Sequence, residues 1–430
     1  KLVYEVNNMP ITLGCIADDF TGATDLANML VKGGLKTIQL LGTPSKNDVV
    51  PSVDAVIIAL KTRTIPVEDA IEQSLQAMNW LKKAGAKQFF FKYCSTFDST
   101  DEGNIGPVID ALMAGLETQF TIACPAFPET ERTIFKGHLF VGDTLLSDSP
   151  MKDHPLTPMT DSNLVSTLSR QTSQKVGLVE YTNISGGPSQ IRKAFNQLQK
   201  EDVAIAVTDV LNDEHLYFLG EAVKDFKLIT GGSGIALGLP SQLKLHKNNK
   251  EETTVHKIPE VLGKELILSG SCSEKTLAQV NEFSKKYCTL KLNPVELAES
   301  NSALDNAVDW VIQAKGKEPI LVYASAPPDA VKEAQQRLGR DLASSTVENA
   351  LAKIARAAVQ NGFRRIVVAG GETAGAVVSK LGIKGIMIGE QIDPGVPTTV
   401  SIGNPSIGLV LKSGNFGSAD FFEKALKVMP

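Results

Sequence analysis

Two aspartates stand side by side in "IADDFTGATDLA", residues 16–27, where an apolar run stops and a helical pattern starts. Adjacent carboxylates repel, so Asp18 and Asp19 need a chemical reason to share the end of a buried strand. A phosphate-binding turn at this place would carry glycines and free N–H groups instead of acids, and no GxGxxG comes after the run. Two carboxylates suit the hydroxyls of a polyol, a bound cation, or proton abstraction from a sugar alcohol. The helix dipole and the amides of the adjoining "TGAT" are expected to keep both ionised. One of them could serve only as the helix cap, but Thr21 is able to do that job. A phosphatase that forms an aspartyl-phosphate fails on spacing, since its acids are separated by one residue and here Phe20 comes next.

Polar residues gather at the ends of two further apolar runs. "LKTRT" (60–64) brings Lys61 and Arg63, and arginine is the side chain suited to a planar carboxylate held by two hydrogen bonds. "KYCSTFDSTDEGNIGPV" (92–108) brings Lys92, Ser95, Thr96, Asp98 and Ser99, then a Gly-Asn-Ile-Gly helix start. Any one of these alone reads as a surface charge or a cap. Together they describe a pocket with positive groups for a small carboxylate and acids for its hydroxyls, so the substrate is expected to be a short, hydroxylated acid. His138 and His154 have no acid or base partner in the sequence and read as satisfied or exposed. Arg132, in "TERTIFKG", could close over the pocket or be a surface charge.

The second half carries a different chemistry. "LILSGSCSEKT" (266–276), "IVVAGGETAGAVV" (366–378) and "LKSGNFGSADFF" (411–422) each put small residues directly after a strand pattern. Glycine lets backbone approach a ligand, and free amides at helix starts bind anions. Three such turns in one half point to phosphate binding. No GxxxxGK[ST] and no protein-kinase HRD or DFG occurs, so a nucleotide here would be held in a non-Walker manner. A fourth glycine-rich turn, "TGGSGIALGLP" (230–240), lines the cleft or simply leaves the first half.

These residues must be positioned by a repeating β–α framework. Apolar runs at 11–17, 36–42, 53–60, 87–93, 120–126, 176–181 and 203–210 alternate with helical patterns at about 21–32, 67–83 and 105–117. Continuously apolar strands alternating with helices predict parallel sheets covered on both faces. The stretch 133–150 breaks the rhythm and reads as a hairpin with a loop. The polar, lysine-rich stretch 243–262 reads as a linker or surface loop. Alternation then restarts at 264–270, 287–293, 318–325 and 364–371, with a helix from Glu274 and a long helix around 345–361. The expected architecture is α/β with two domains, each a mostly parallel sheet flanked by helices, and an active-site cleft between them. A substrate domain spans 11–242 and a second domain 263–430.

Of the 430 residues, 43% are hydrophobic and 21% charged, with a net charge of −5 and no basic stripe, which argues against nucleic acid as a partner. Five scattered cysteines without a CxxC fit reduced thiols in a cytoplasmic protein better than a disulfide framework or a zinc site. The first residues lack the zones of a secretory signal, Met9 reads as close to the natural start, and no apolar run reaches the length of a membrane span.

The chain resembles the four-carbon acid sugar kinases. The resemblance rests on "GCIADDFTGATDLA", "FFFKYCSTFDSTDEGNIGPV", "ILSGSCS", "AGGET" and "LKSGNFG", and runs from Leu13 to the C-terminus. It implies an N-terminal substrate domain, a C-terminal nucleotide domain, and phosphorylation by ATP of the terminal hydroxyl of a four-carbon sugar acid. It further implies ATP contacts at Ser269, Gly371, Glu372, Thr373, Ala374 and Gly414, with Mg²⁺ accompanying ATP and no dedicated protein site for it. Substrate contacts would fall on Asp18, Asp19, Arg63, Lys92, Ser95 and Asp98, and the chemistry of phosphoryl transfer makes Asp19 or Asp18 the expected base on the attacking oxygen. Threonate and erythronate kinases of this family carry a shorter Lys-x-Asp-Ser-Thr-Leu-Arg-Gly motif. "KYCSTFDSTDEG" departs from it, which favours a 3-oxo acid as substrate. A homo-oligomer is compatible with all of this. The rival readings are a sugar-acid sensor without turnover and a hydroxy-acid dehydrogenase, the latter weakened by the missing dinucleotide fingerprint.

Overall fold

The structure is a computed structural model that describes residues 11–45, 52–154, 156–245, 258–314 and 318–429. The chain divides into two compact units, Lys1–Val255 and His256–Pro430. Most of the 243–262 stretch read as a linker lies outside the described residues.

The first unit contains strands β1 (Leu13–Ala17), β2 (Thr37–Leu41), β3 (Ala55–Ala59), β4 (Gln88–Lys92), β5 (Thr121–Cys124), β6 (Arg132–Phe135), β7 (His138–Val141), β8 (Thr144–Leu145), β9 (Val176–Val179), β10 (Ile205–Thr208) and β11 (Leu228–Gly231). Eight of them form a sheet ordered β2-β3-β1-β4-β11-β5-β10-β9, and the paired strands are parallel. Strands β1, β3, β4, β5, β10 and β11 are buried along their whole length. That is the reason their sequences read as unbroken apolar runs, because helices cover both faces of a parallel sheet. The stretch expected as a hairpin is an antiparallel three-stranded meander, β6-β7-β8.

Central strand β11 is an addition to the expected set. Only "LITG" separates Lys227 from the glycines of 231–234, too short a run to register as a strand, yet it pairs with both β4 and β5. The registers bring Ala17 opposite Ala59 and Lys92, and Lys92 opposite Gly231. Four carboxyl ends therefore finish level. The chain runs outward from β1 to β2 and then crosses back to β4, so the point where strand order reverses lies at β1, the place where such sheets hold ligands.

The second unit contains β12 (Lys264–Ser269), β13 (Thr289–Lys291), β14 (Ile320–Tyr323), β15 (Phe363–Ala369), β16 (Gly385–Asp393), β17 (Val396–Ser401) and β18 (Gly408–Lys412). Strands β13-β14-β12-β15-β18 are parallel, and β17 and β16 continue the order as antiparallel neighbours. Its core packs Ile267, Leu321, Val367 and Val410 of the sheet against Phe283, Phe421 and Phe422 of the flanking helices. The long helix runs from Arg340 to Gln360. Among the described residues no helix is long and apolar enough to cross a membrane.

Candidate active site

In the first unit the predicted residues meet around one guanidinium. Arg63 Nε and Nη2 donate to the two oxygens of Asp18, each at 2.9 Å. Nη2 also donates to Asp19 Oδ1 at 2.9 Å, and Nη1 to Asp98 Oδ2 at 3.3 Å. Four of the five N–H groups of the arginine are thereby committed to three aspartates, leaving one on Nη1. The paired acids at the end of β1 thus share a cation that offsets their repulsion.

Each member is placed by backbone ties between strand ends. The Asp18 N–H donates to Lys92 O and its carbonyl accepts from Thr62 N–H, which locks β1 to both neighbours. Asn104 donates from its side chain to Thr62 O at 2.8 Å and Ile65 O at 2.9 Å, holding the loop that carries Arg63. Asp98 lies in a turn where Phe97 and Asp98 both have positive φ, 64° and 26°. Such backbone is costly for non-glycine residues and persists only where surroundings fix it. The buried Phe97 ring, edge-on to Tyr93, and the Thr96 hydroxyl, donating to Asp98 Oδ1 at 2.6 Å, do so here. Ser95 is half-buried in the same turn.

Asp19 is also the cap of the helix Phe20–Lys32, accepting from Gly22 N–H at 3.2 Å. The expectation that Thr21 could cap is corrected: the helix starts one residue earlier, and the Thr21 hydroxyl instead donates to Asp19 Oδ2 at 2.7 Å. Burial alone would raise Asp19, but Arg63, Lys92, Thr21 and the Gly22 N–H outweigh it and hold the carboxyl below its usual range. Asp18 departs from the expected equivalence. It is 4% exposed, and burial pushes its pKa up in spite of Arg63.

Lys92 is 3% exposed and donates to Tyr93 O at 2.7 Å. A Cβ at Gly22 would lie 2.3 Å from Asp19 Oδ1 and 2.9 Å from Lys92 Nζ, so the carboxylate and the ammonium flank that glycine.

A fourth acid belongs to the cluster, one that sequence reasoning misses. Asp25, on the Phe20–Lys32 helix, feels the Lys92 charge, and burial raises its pKa. Its Oδ1 is buried with no hydrogen-bond partner, and so is the hydroxyl of Ser233, which it faces from beyond β11. Asp25 is visible in "DDFTGATD", six positions after Asp19, but it reads as part of a helix face. The beginning of the glycine turn 230–240 proves to be strand, and its Ser233 lines this cluster.

Both histidines singled out in the sequence have local partners. His138 Nδ1 pairs with Lys136 O, and His154 Nδ1 with Thr157. Lys61 is exposed and sits over the Phe20 ring at 5.3 Å. Cys94, the thiol nearest the cluster, is pushed up to about 12 by burial, against the thiolate a nucleophile needs.

In the second unit the three predicted turns converge. Ser273 Oγ donates to Gly414 O at 2.6 Å, and Thr276 Oγ1 donates to the same carbonyl at 2.9 Å. A Cβ at Gly270 would fall 2.2 Å from Thr373 Oγ1, and one at Gly414 would fall 2.5 Å from Ser271 Oγ. Gly370, with φ of 123°, starts the helix Gly371–Lys380, whose first-turn N–H groups have no intrahelical partner. The turns open on a cavity of 810 Å³. Gly371, Glu372, Thr373 and Gly414 are among its lining residues, and Leu292, Val295, Val331 and Val347 give it apolar surface. That size and mixture suit a nucleotide-sized ligand. Ser269 and Ala374 stand behind this lining, both buried, and the Ser269 hydroxyl is paired with Ser325 at 2.7 Å.

Known proteins divide in the same way. The family described as "Sugar-binding N-terminal domain" matches residues 13–239, and "Nucleotide-binding C-terminal domain" matches residues 266–422. The chain is 52% identical to a 3-oxo-tetronate kinase of Burkholderia multivorans, over 97% of each chain. It is 50% identical to one of Pseudomonas savastanoi pv. phaseolicola, over 98% of each. Among solved structures, one from Salmonella typhimurium LT2, described provisionally as a tRNA synthase, is 40% identical. It aligns over 97% of this chain and 100% of that chain, with a TM-score of 0.89.

Proposed function

The chain belongs to the family of 3-oxo-tetronate kinases, and from that premise we propose that it transfers the terminal phosphoryl group of ATP to the O4 hydroxyl of 3-oxo-tetronate, giving 3-oxo-tetronate 4-phosphate. The observation that carries this reading is that the likeness to these kinases runs through both units, the carboxylate-bearing one and the glycine-turn one alike. The tRNA description fits less well, because the chain has a net charge of −5 and no basic stripe.

Phosphoryl transfer asks the protein mainly for positioning and electrostatic stabilisation. The first unit supplies the acceptor side. Lys92 and the remaining N–H of Arg63 offer charge to the substrate carboxylate, while Ser95, Asp98 and Asp25 accept from or donate to its oxygens. Asp19, held ionised and more exposed than Asp18, orients the attacking hydroxyl. Asp18, buried beneath it and clamped by Arg63, receives or relays the proton. A loose transition state needs little basicity from the orienting carboxylate, so a depressed Asp19 is compatible with the role.

The second unit supplies the donor side. The amides at Gly371, Glu372 and Thr373, and the turn at Gly414, would cradle the phosphates, with the apolar side chains of the lining packing against the base. Among the described residues no group of three or more His, Cys, Asp or Glu is disposed to hold a metal. Mg²⁺ accompanying ATP would be held mainly through phosphate oxygens and water, with Glu372 as its proposed outer contact. When bound, Mg²⁺ would neutralise charge on the transferring group. The test is turnover on 3-oxo-tetronate, D-threonate and D-erythronate side by side with MgATP, the phosphorylated carbon being identified by NMR. Preference for 3-oxo-tetronate with phosphate on C4 is expected. Preference for threonate or erythronate would make it a different four-carbon acid kinase, and no turnover on any would favour a sensor.

A further inference from the structure

We propose that Lys412 is a positioning residue for the nucleotide phosphates, turning the Gly414 peptide so that its succeeding amide faces the cavity and placing under that turn a buried cation whose counter-charge is the phosphate chain. This rests on the nucleotide reading of the second unit and assigns it a further residue.

Lys412 ends β18 and is 0% exposed. Its ammonium donates to Thr276 Oγ1 at 3.0 Å, Ser413 O at 3.0 Å and Gly414 O at 3.1 Å. Those three bonds use every N–H it has, so it acts on a ligand through the turn and not by contact. Gly414 O is drawn inward by Lys412, Ser273 and Thr276 together. In a trans peptide the carbonyl and the succeeding N–H point to opposite sides. Pulling Gly414 O into the protein therefore sends the Asn415 N–H outward, at a residue beside the cavity lining.

The charge is the second half of the argument. A buried ammonium is expected to have a carboxylate partner, yet all three acceptors here are neutral oxygens. Charged groups on the surrounding elements do not supply one. Glu274 and Lys275 on the helix Glu274–Ser284 are exposed, as is Glu372 on the helix Gly371–Lys380. Asp393 on β16 is bound by Lys424 and Ser418, and Glu265, on the strand β12 beside β15, pairs with Arg365. Burial, with repulsion from Lys275, lowers Lys412 to about 7. An anion arriving at the turn would stabilise the charged form, so binding of a phosphate chain near neutral pH should take up a proton.

The experiment is calorimetric titration of the full-length protein with MgATP and with adenosine, between pH 7 and 9, in buffers of different ionisation enthalpy. For wild type, the ratio of MgATP to adenosine affinity should fall roughly tenfold per pH unit at most over that range, with measurable proton uptake for MgATP only. Lys412→Met should weaken MgATP by roughly tenfold or more, change adenosine by less than about twofold, and abolish the uptake. A Lys412→Met protein with wild-type MgATP affinity and unchanged proton uptake would overturn the inference. Should that variant not fold, the wild-type ratio decides alone, and a ratio flat with pH overturns it. Adenosine binding with normal MgATP binding but no proton uptake sinks only the Lys412 role; binding of neither ligand to wild type sinks the nucleotide reading as well.

Discussion

At the scale of single residues, Arg63 is what lets Asp18 and Asp19 coexist. Removing one partner of a buried ion cluster strands the others, at a cost of about 3 kcal/mol in comparable cases. Arg63→Met should therefore lose about that much stability at pH 7 by urea denaturation. Its pH dependence is a matter of sign. In wild type, the lowered Asp19 contributes stability above the ordinary carboxylate range, lost as pH falls through its folded value. Asp18, raised by burial, contributes the opposite sign, so stability falls as pH rises through its window. Without Arg63 the Asp18 and Asp19 carboxyls both rise, the native state binds more protons than the unfolded one, and Arg63→Met should gain stability from pH 7 to pH 5. A loss over that interval would mean that the guanidinium is not what opposes protonation of this pair. Asp19→Asn keeps the shape and should cut turnover by about 10²-fold or more, with MgATP affinity within about twofold; near-normal turnover would remove Asp19 from the reaction. The adjacency of the two acids is legible in the sequence because it breaks a rule of repulsion. Asp25 is not legible, since a single acid on a helix is ordinary and only burial of its Oδ1 distinguishes it.

At the scale of elements, the site depends on strands that finish level and turns that pack without side chains. Apolar runs reveal the strands of the first sheet because burial on both faces leaves no polar alternation to confuse the reading. The four-residue β11 escapes, since length is the only cue that separates so short a strand from a loop. In the second unit, the antiparallel β16 and β17 show in the sequence only as a change of character, because Gly385 and Gly389 in β16, Pro397 in β17 and two register shifts between the strands interrupt a regular alternation. Glycine turns are legible as anion sites, but their mutual packing is not. A Cβ at Gly270 meets Thr373 Oγ1 at 2.2 Å, closer than any real contact, so Gly270→Ala must turn the Thr373 side chain or shift the first turn of the Gly371–Lys380 helix that carries it. That change should weaken MgATP by roughly tenfold, the worth of about one charge-assisted hydrogen bond, while near-UV dichroism of the protein stays close to wild type. Unchanged affinity would mean that the helix start does not bind the phosphates.

At the scale of the whole molecule, the residues proposed for each ligand come from one unit. Among the described residues, the acid cluster draws on residues between Asp18 and Ser233, all in the first unit, and the cavity on residues between Gly270 and Gly414 in the second. Substitutions far apart with no shared partners act independently. The two binding steps should then be separable even though turnover needs both. Arg63→Met should leave MgATP affinity within about twofold of wild type while abolishing sugar-acid binding, and Gly270→Ala should do the reverse. Each single variant should lose turnover, and the double variant should lose both affinities by no more than its parents did. Calorimetry with each ligand alone checks this. If Arg63→Met also weakened MgATP by about tenfold, occupancy of one unit would be setting the affinity of the other. The proposed roles would then have to be assigned to a coupled pair of sites instead of two self-contained ones.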